Sequence, residues 1–195
     1  MDSVAHHRRA GSNWLAFADR LSRPFWLVLA AIVVVYHVGL VFYGLVPNLV
    51  SRPVHMALIL PFVLAAAPGT AGQKASGAVL AIIGSAAALW IAFHHNALGD
   101  QYGFLESGWQ MAIAICLLLV VLEAARRAIG WPLPLVAGVA LVYGLFGQHI
   151  PGQFGHSGIP LESFLGTLTI AEGGIWGSLT GVSGGVVAIF VIFGA

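Results

Sequence analysis

Residues Phe25 to Val46 read FWLVLAAIVVVYHVGLVFYGLV, an unbroken run of 22 residues without a charge. An α-helix rises 1.5 Å per residue, and the hydrocarbon core of a bilayer takes about 20 apolar residues to cross. The run has the right length and composition for one crossing. It is longer than the ~7–15 residue apolar core of a secretory signal, and no A-x-A cleavage site follows it. It is therefore expected to stay in the mature chain as a membrane helix.

Working outward from this stretch, the pattern repeats. Pro53–Ala67 (PVHMALILPFVLAAA) is shorter and carries Pro61, which predicts a kinked or tilted helix. Gly77–Phe93, Trp109–Leu122, Trp131–Gly147 and Gly173–Ala195 supply four more apolar runs. The last closes on GGVVAIFVIFGA, which reads as a helix interrupted before its exit anchor. Ten-residue alternating segments of the β-barrel kind are missing. The expected fold class is an all-α polytopic membrane protein of about six transmembrane helices plus an N-terminal interfacial helix.

Composition agrees. Of 195 residues, 59% are hydrophobic and 8% are charged, against roughly 25% charged in a soluble domain. A net charge of +1 excludes a strongly basic nucleic-acid binder. The lone Cys116 cannot form an internal disulfide, and its apolar surroundings predict a buried, inert thiol.

Orientation follows from Lys and Arg. With a cytoplasmic N-terminus, Arg8, Arg9, Arg20, Arg23, Lys74, Arg126 and Arg127 fall inside and only Arg52 falls outside. That is the positive-inside bias. Trp26 and Trp131 mark inner ends of spans, and Trp90 and Trp109 outer ends. Ahead of the first span, Trp14, Leu15, Ala18 and Leu21 recur at helical spacing. They predict a short interfacial helix over Ser12–Pro24, with Ser12 as cap and Pro24 opening the next helix.

Candidate chemistry is sparse. His94 and His95 are adjacent and point apart, and His149 and His156 flank HIPGQFGHSGIP without a third ligand. His37 lies deep in the first span, and an intramembrane ionisable residue is a functional candidate by default. A hydrogen bond to a neighbouring helix is its commoner use, and no second deep histidine is evident to complete a haem pair. No Ser-His-Asp set and no phosphate-binding loop is present, so no enzymatic activity is expected. Gly173, Gly177, Gly181 and Gly185 fall four apart, predicting one smooth helix face for close packing or for a loosened transport helix. Glu172 stands at the expected start of that helix, where the dipole favours a carboxylate.

Arg52–His55 (RPVH), the acidic outer loop, EAARRAIGWPLPLVAGVALVYGLFG (Glu123–Gly147), HIPGQFGHSGIP and EGGIWGSLTGVSGGVVAIFVIFGA together resemble the fused permeases of TAXI-type tripartite ATP-independent periplasmic (TRAP) transporters. The resemblance implies residues 1–24 as a cytoplasmic or interfacial segment. It implies 25–127 as a four-helix small-subunit-like domain, and 128–195 as the start of a large permease subunit that the sequence truncates. It further implies a secondary transporter in the bacterial inner membrane. A periplasmic substrate-binding protein would deliver an organic acid, and an ion, typically sodium, would drive uptake. The remainder of the large subunit and the lipid bilayer are the other expected partners; nucleic acid is not. Substrate and ion residues are expected beyond residue 195. The residues in hand supply scaffold: Arg52 and His55 at the outer face, Glu123, Arg126 and Arg127 at the inner junction, Gly130 and Pro132 as the turn into the fifth span, and the glycine stripe. No cofactor is implied. Two alternatives stand beside this reading: a self-contained membrane anchor or assembly subunit, and a haem-b redox anchor.

Overall fold

The computed structural model describes the backbone of residues 2–66 and 69–194 and the side chains of 23–66 and 69–194. Among the described residues every regular element is helical. In chain order these are α1 (Asp2–Tyr43), α2 (Asn48–Leu64), α3 (Ala71–Phe93), α4 (His95–Asp100), α5 (Gly108–Ile129), α6 (Pro132–Phe146), α7 (Leu161–Thr169) and α8 (Ser178–Gly194). Single 3₁₀ turns at Gly147–His149 and Gly152–Phe154 fold the connection from α6 to α7.

Among the described residues, three helical stretches are long and apolar enough to cross a membrane: Arg23–Tyr43, Ala71–Phe93 and Pro132–His149. Asn48–Leu64 and Ser178–Gly194 are apolar but shorter. In Arg23–Tyr43 and in Pro132–His149, 6% of the most apolar window is buried within the chain. These two helices therefore present hydrocarbon almost all round.

The packed centre is the trio α2, α3 and α5. Its closeness comes from small residues on α3, where Gly77, Ala81, Gly84 and Ala88 recur four, three and four apart and are all buried. A Cβ on Gly77 would overlap the Leu64 carbonyl oxygen, and one on Gly84 would press on Val120 and Leu60. This is the small-residue route to helix contact in an apolar solvent. Pro61 lacks the N–H that would bond the Ala57 carbonyl; the Ser85 hydroxyl of α3 donates to that oxygen instead, at 2.8 Å. The carbonyl that Pro61 leaves open thus becomes an interhelical tie.

The bundle end carrying Asn48 and Phe93 is closed by α4, α7 and Trp176. Trp176 is fully buried and donates from Nε1 to the Thr169 carbonyl at 2.6 Å. It packs in one cluster with Leu49, Ile91, Leu98, Leu105, Leu117, Leu165 and Ile170.

Several expectations are corrected. The helix predicted to begin afresh at Pro24 is one continuous α1 with Pro24 inside it. One lost hydrogen bond does not stop a segment of Ala, Leu and Arg that favours helix on both sides. Which face Trp14, Leu15, Ala18 and Leu21 present lies outside the described residues. α2 starts at Asn48, five residues before the predicted Pro53. Gly173–Ala195 is not one helix: residues 171–177 form a turn, α8 begins at Ser178, and Ser183–Val187 winds as a π turn. Burying Trp176 draws this chain back on itself, and the local glycines oppose helix by about 1 kcal/mol each. Helix α7 had not been anticipated. Cys116 is exposed, not buried, in an apolar groove with Trp90 and Trp109.

Candidate functional site

Helices α1, α2 and α8 converge near Arg52, and two of the three buried polar side chains among the described residues, His37 and His55, gather there. His37 of α1 is fully buried and His55 of α2 is 7% exposed. His37 Nδ1 lies 2.7 Å from the Val33 carbonyl, His37 Nε2 lies 2.8 Å from His55 Nδ1, and His55 Nε2 lies 3.2 Å from Ser183 Oγ. A carbonyl only accepts, so His37 Nδ1 carries its proton and the neutral ring accepts at Nε2. His55 then donates from Nδ1 and accepts at Nε2 from the Ser183 hydroxyl. Every ring nitrogen of the pair is engaged with both imidazoles neutral. The string fastens three helices, its His37–His55 link buried, and it reaches α8 at the exposed Ser183 of its π turn, where the backbone departs from regular helix. The haem alternative meets an obstacle here: the two rings bond directly to each other and leave no gap for an iron between them.

One turn before His55, Arg52 donates from Nη1 to the Trp176 carbonyl. Its guanidinium lies flat along Gly181, whose Cα has no side chain to displace it; a Cβ would stand 3.0 Å from Cζ. Asn48, one further turn back, donates from Nδ2 to Glu172 Oε2 at 3.0 Å. The Tyr36 hydroxyl donates to the Ser51 carbonyl at 2.9 Å and ties α1 to α2. Between these helices opens a crevice of about 440 Å³. Its apolar wall includes Leu40, Val46, Val182 and Val186, and its polar edge includes Asn48, Arg52 and Thr180.

At the opposite end of the bundle, Glu123 accepts a two-pronged bond from Arg126 (2.6 and 2.7 Å) and a third from Arg127 (2.7 Å). Arg127 also donates to the Leu64 and Gln73 carbonyls and to the Ser76 hydroxyl, at 3.2, 2.9 and 3.0 Å. It joins the last turn of α2 to the first turn of α3, and at Leu64 it satisfies one of the carbonyls that a helix C-terminus leaves open. Arg126 lies over the Trp131 ring at 5.3 Å. Gly130 ends α5 at φ +96°, a conformation that L side chains rarely adopt, and Pro132 is the first residue of α6.

The predicted glycine stripe is divided. Gly173 and Gly177 precede α8, Gly181 meets Arg52, and Gly185 faces open space. Gly184, outside the stripe, is the one that meets His55. Glu172 is six residues ahead of α8 and binds Asn48, so it does not cap that helix. His156 lies away from the crevice, bonded to the Ser157 and Tyr143 carbonyls at 2.7 and 3.0 Å. These two acceptors favour its protonated form and raise its pKa above the usual imidazole value. Among the described residues no three His, Cys, Asp or Glu side chains group closely enough to hold a metal.

Sequence reasoning missed Trp176, Ser183 and the pairing of His37 with His55. Arg52 and His55 stand out in RPVH, but Trp176 and Ser183, which they bond, lie more than 120 residues further on, and no local spacing announces them. No protein-family model, curated protein or solved structure matches this chain.

Proposed function

We propose that this chain is an integral membrane protein crossing the bilayer about six times, and that it forms scaffold helices of a TRAP-type secondary transporter permease. The observation that carries the membrane part is the nearly naked apolar surface of Arg23–Tyr43 and Pro132–His149. In water such faces cost about 25 cal/mol per Å² of apolar area, whereas lipid accommodates them freely. The transporter part rests on the order of the motifs quoted above. The rigid α2–α3–α5 trio, fastened by Arg127, suits a fixed frame. The interrupted α8, with its π turn and adjoining crevice, suits the broken helices found where transporters handle solutes.

In this reading the N-terminus is cytoplasmic and the Arg52 end faces the periplasm, where a soluble binding protein delivers an organic acid. An ion gradient, of sodium by the resemblance, drives uptake. The test is uptake by cells lacking the coding sequence, measured with a panel of radiolabelled carboxylic acids with and without a sodium gradient. Loss of one gradient-dependent uptake, restored by the intact gene, is expected. Unchanged uptake across the panel refutes the transport reading and leaves the self-contained anchor.

A further inference from the structure

The crevice beside Arg52 holds a guanidinium that forms no ion pair among the described residues. The ion pairs among the described residues both belong to Glu123, and Arg52 is in neither. Its recorded hydrogen bond leaves from Nη1 to a neutral carbonyl, whereas a guanidinium offers five N–H donors. A cation at a membrane surface with donors to spare calls for an anionic acceptor.

The walls say what kind. The crevice is amphipathic, polar at Asn48 and Thr180 and apolar at Leu40, Val182 and Val186. Exposed Val41 and Phe42 follow the lining residue Leu40 on α1, and exposed Val187 and Phe190 follow the lining residue Val186 on α8. A volume of about 440 Å³ suits a headgroup with its first carbons, and the exposed tracks suit the chains that follow. A second charge stands near: Asn48, one turn from Arg52 on the same helix face, holds the exposed Glu172 carboxylate. A purely anionic ligand would meet that carboxylate unfavourably, while a ligand carrying phosphate and ammonium two carbons apart satisfies both charges.

We propose that this crevice binds a zwitterionic phospholipid, with its phosphate on Arg52 and its ammonium toward Glu172. Bound there, the lipid seals α8 against α1 and α2. The proposal rests on the membrane reading and not on transport, so unchanged solute uptake would leave it standing.

The test is native mass spectrometry of the full chain in detergent, titrated separately with phosphatidylethanolamine, phosphatidylglycerol, glycerophosphoethanolamine and inorganic phosphate. Wild type is expected to retain phosphatidylethanolamine in preference to phosphatidylglycerol. Arg52→Gln should weaken that binding about tenfold, the worth of one charge-assisted contact. Glu172→Gln should abolish the preference between the two lipids. Arg52→Lys keeps the charge but loses the fork, and serves if Arg52→Gln does not fold; its retention should be measurably below wild type. Retention that is the same in wild type and the Arg52 variants overturns the proposal. So does binding of glycerophosphoethanolamine or phosphate as tight as the lipid, which would make this a site for a soluble solute.

Discussion

Replacing Arg127 by Gln should cost this bundle far more than replacing its neighbour Arg126. The Arg127 side chain is 14% exposed and spans three elements. Beyond Glu123 it serves the Leu64 carbonyl, the Gln73 carbonyl and the Ser76 hydroxyl, all at 3.2 Å or less. A hydrogen bond from a charged donor contributes about 1.5–3 kcal/mol, and bonds sharing one group are not additive. The loss expected for Arg127→Gln is about 3 kcal/mol. Arg126 is 35% exposed and touches only Glu123 and the Trp131 face. Solvent screening leaves its contribution well below that of Arg127. For a chain of this length each kcal/mol moves the melting temperature by about 2–4 °C. Thermal unfolding in detergent, followed by tryptophan fluorescence, should therefore show a drop of about 10 °C for Arg127→Gln and a clearly smaller one for Arg126→Gln. Hydrogen exchange should accelerate at Leu64–Ala66 and Thr70–Ser76 in the first variant only. Equal drops, or a larger drop for Arg126→Gln, would refute the assignment of Arg127 as the tie between α2 and α3.

Gly84→Val places two methyl groups against Val120 and Leu60 and should destabilise by about 1–3 kcal/mol in the same melt. Gly138→Ala, which meets open space, should leave the melt unchanged or raise it. His55→Phe strands the His37 Nε2 acceptor and the Ser183 hydroxyl, an expected loss of about 2 kcal/mol. Combining it with His37→Phe should cost less than the sum of the two single changes in a double-mutant cycle; strict additivity contradicts the bonded pair. His156 has a raised pKa in the folded loop, so its contribution is fully present below its unfolded value of about 6.5. That contribution is lost as pH rises through the raised folded value. Amide exchange over 147–160 should be slower at pH 5.5 than at pH 8.5 after correction for intrinsic rates, and His156→Ala should erase the difference.

The long apolar runs were legible because hydrocarbon length alone decides them: Phe25–Val46 reappears within α1 as far as Tyr43, and Gly77–Phe93 lies wholly within α3. The functional face was less legible, for physical reasons. Gly173, Gly177, Gly181 and Gly185 kept helical spacing, but one buried indole, Trp176, reorganised the chain ahead of Ser178. The stripe that packs is Gly77, Ala81, Gly84 and Ala88, masked in the sequence because alanine and glycine are common throughout it. EAARR announced a junction, since three charges close an apolar helix, yet nothing local showed that Arg127 would reach back to Leu64. His37 stood out by its depth. Its partner did not, because His55 follows Arg52 and Pro53 and reads as part of a surface motif.

Alkaline extraction followed by flotation of membranes containing the full chain asks most directly whether these helices live in lipid. The chain should remain with the vesicles at high pH and leave them only with detergent. Recovery as a monodisperse monomer in the aqueous fraction, without detergent, would contradict the account.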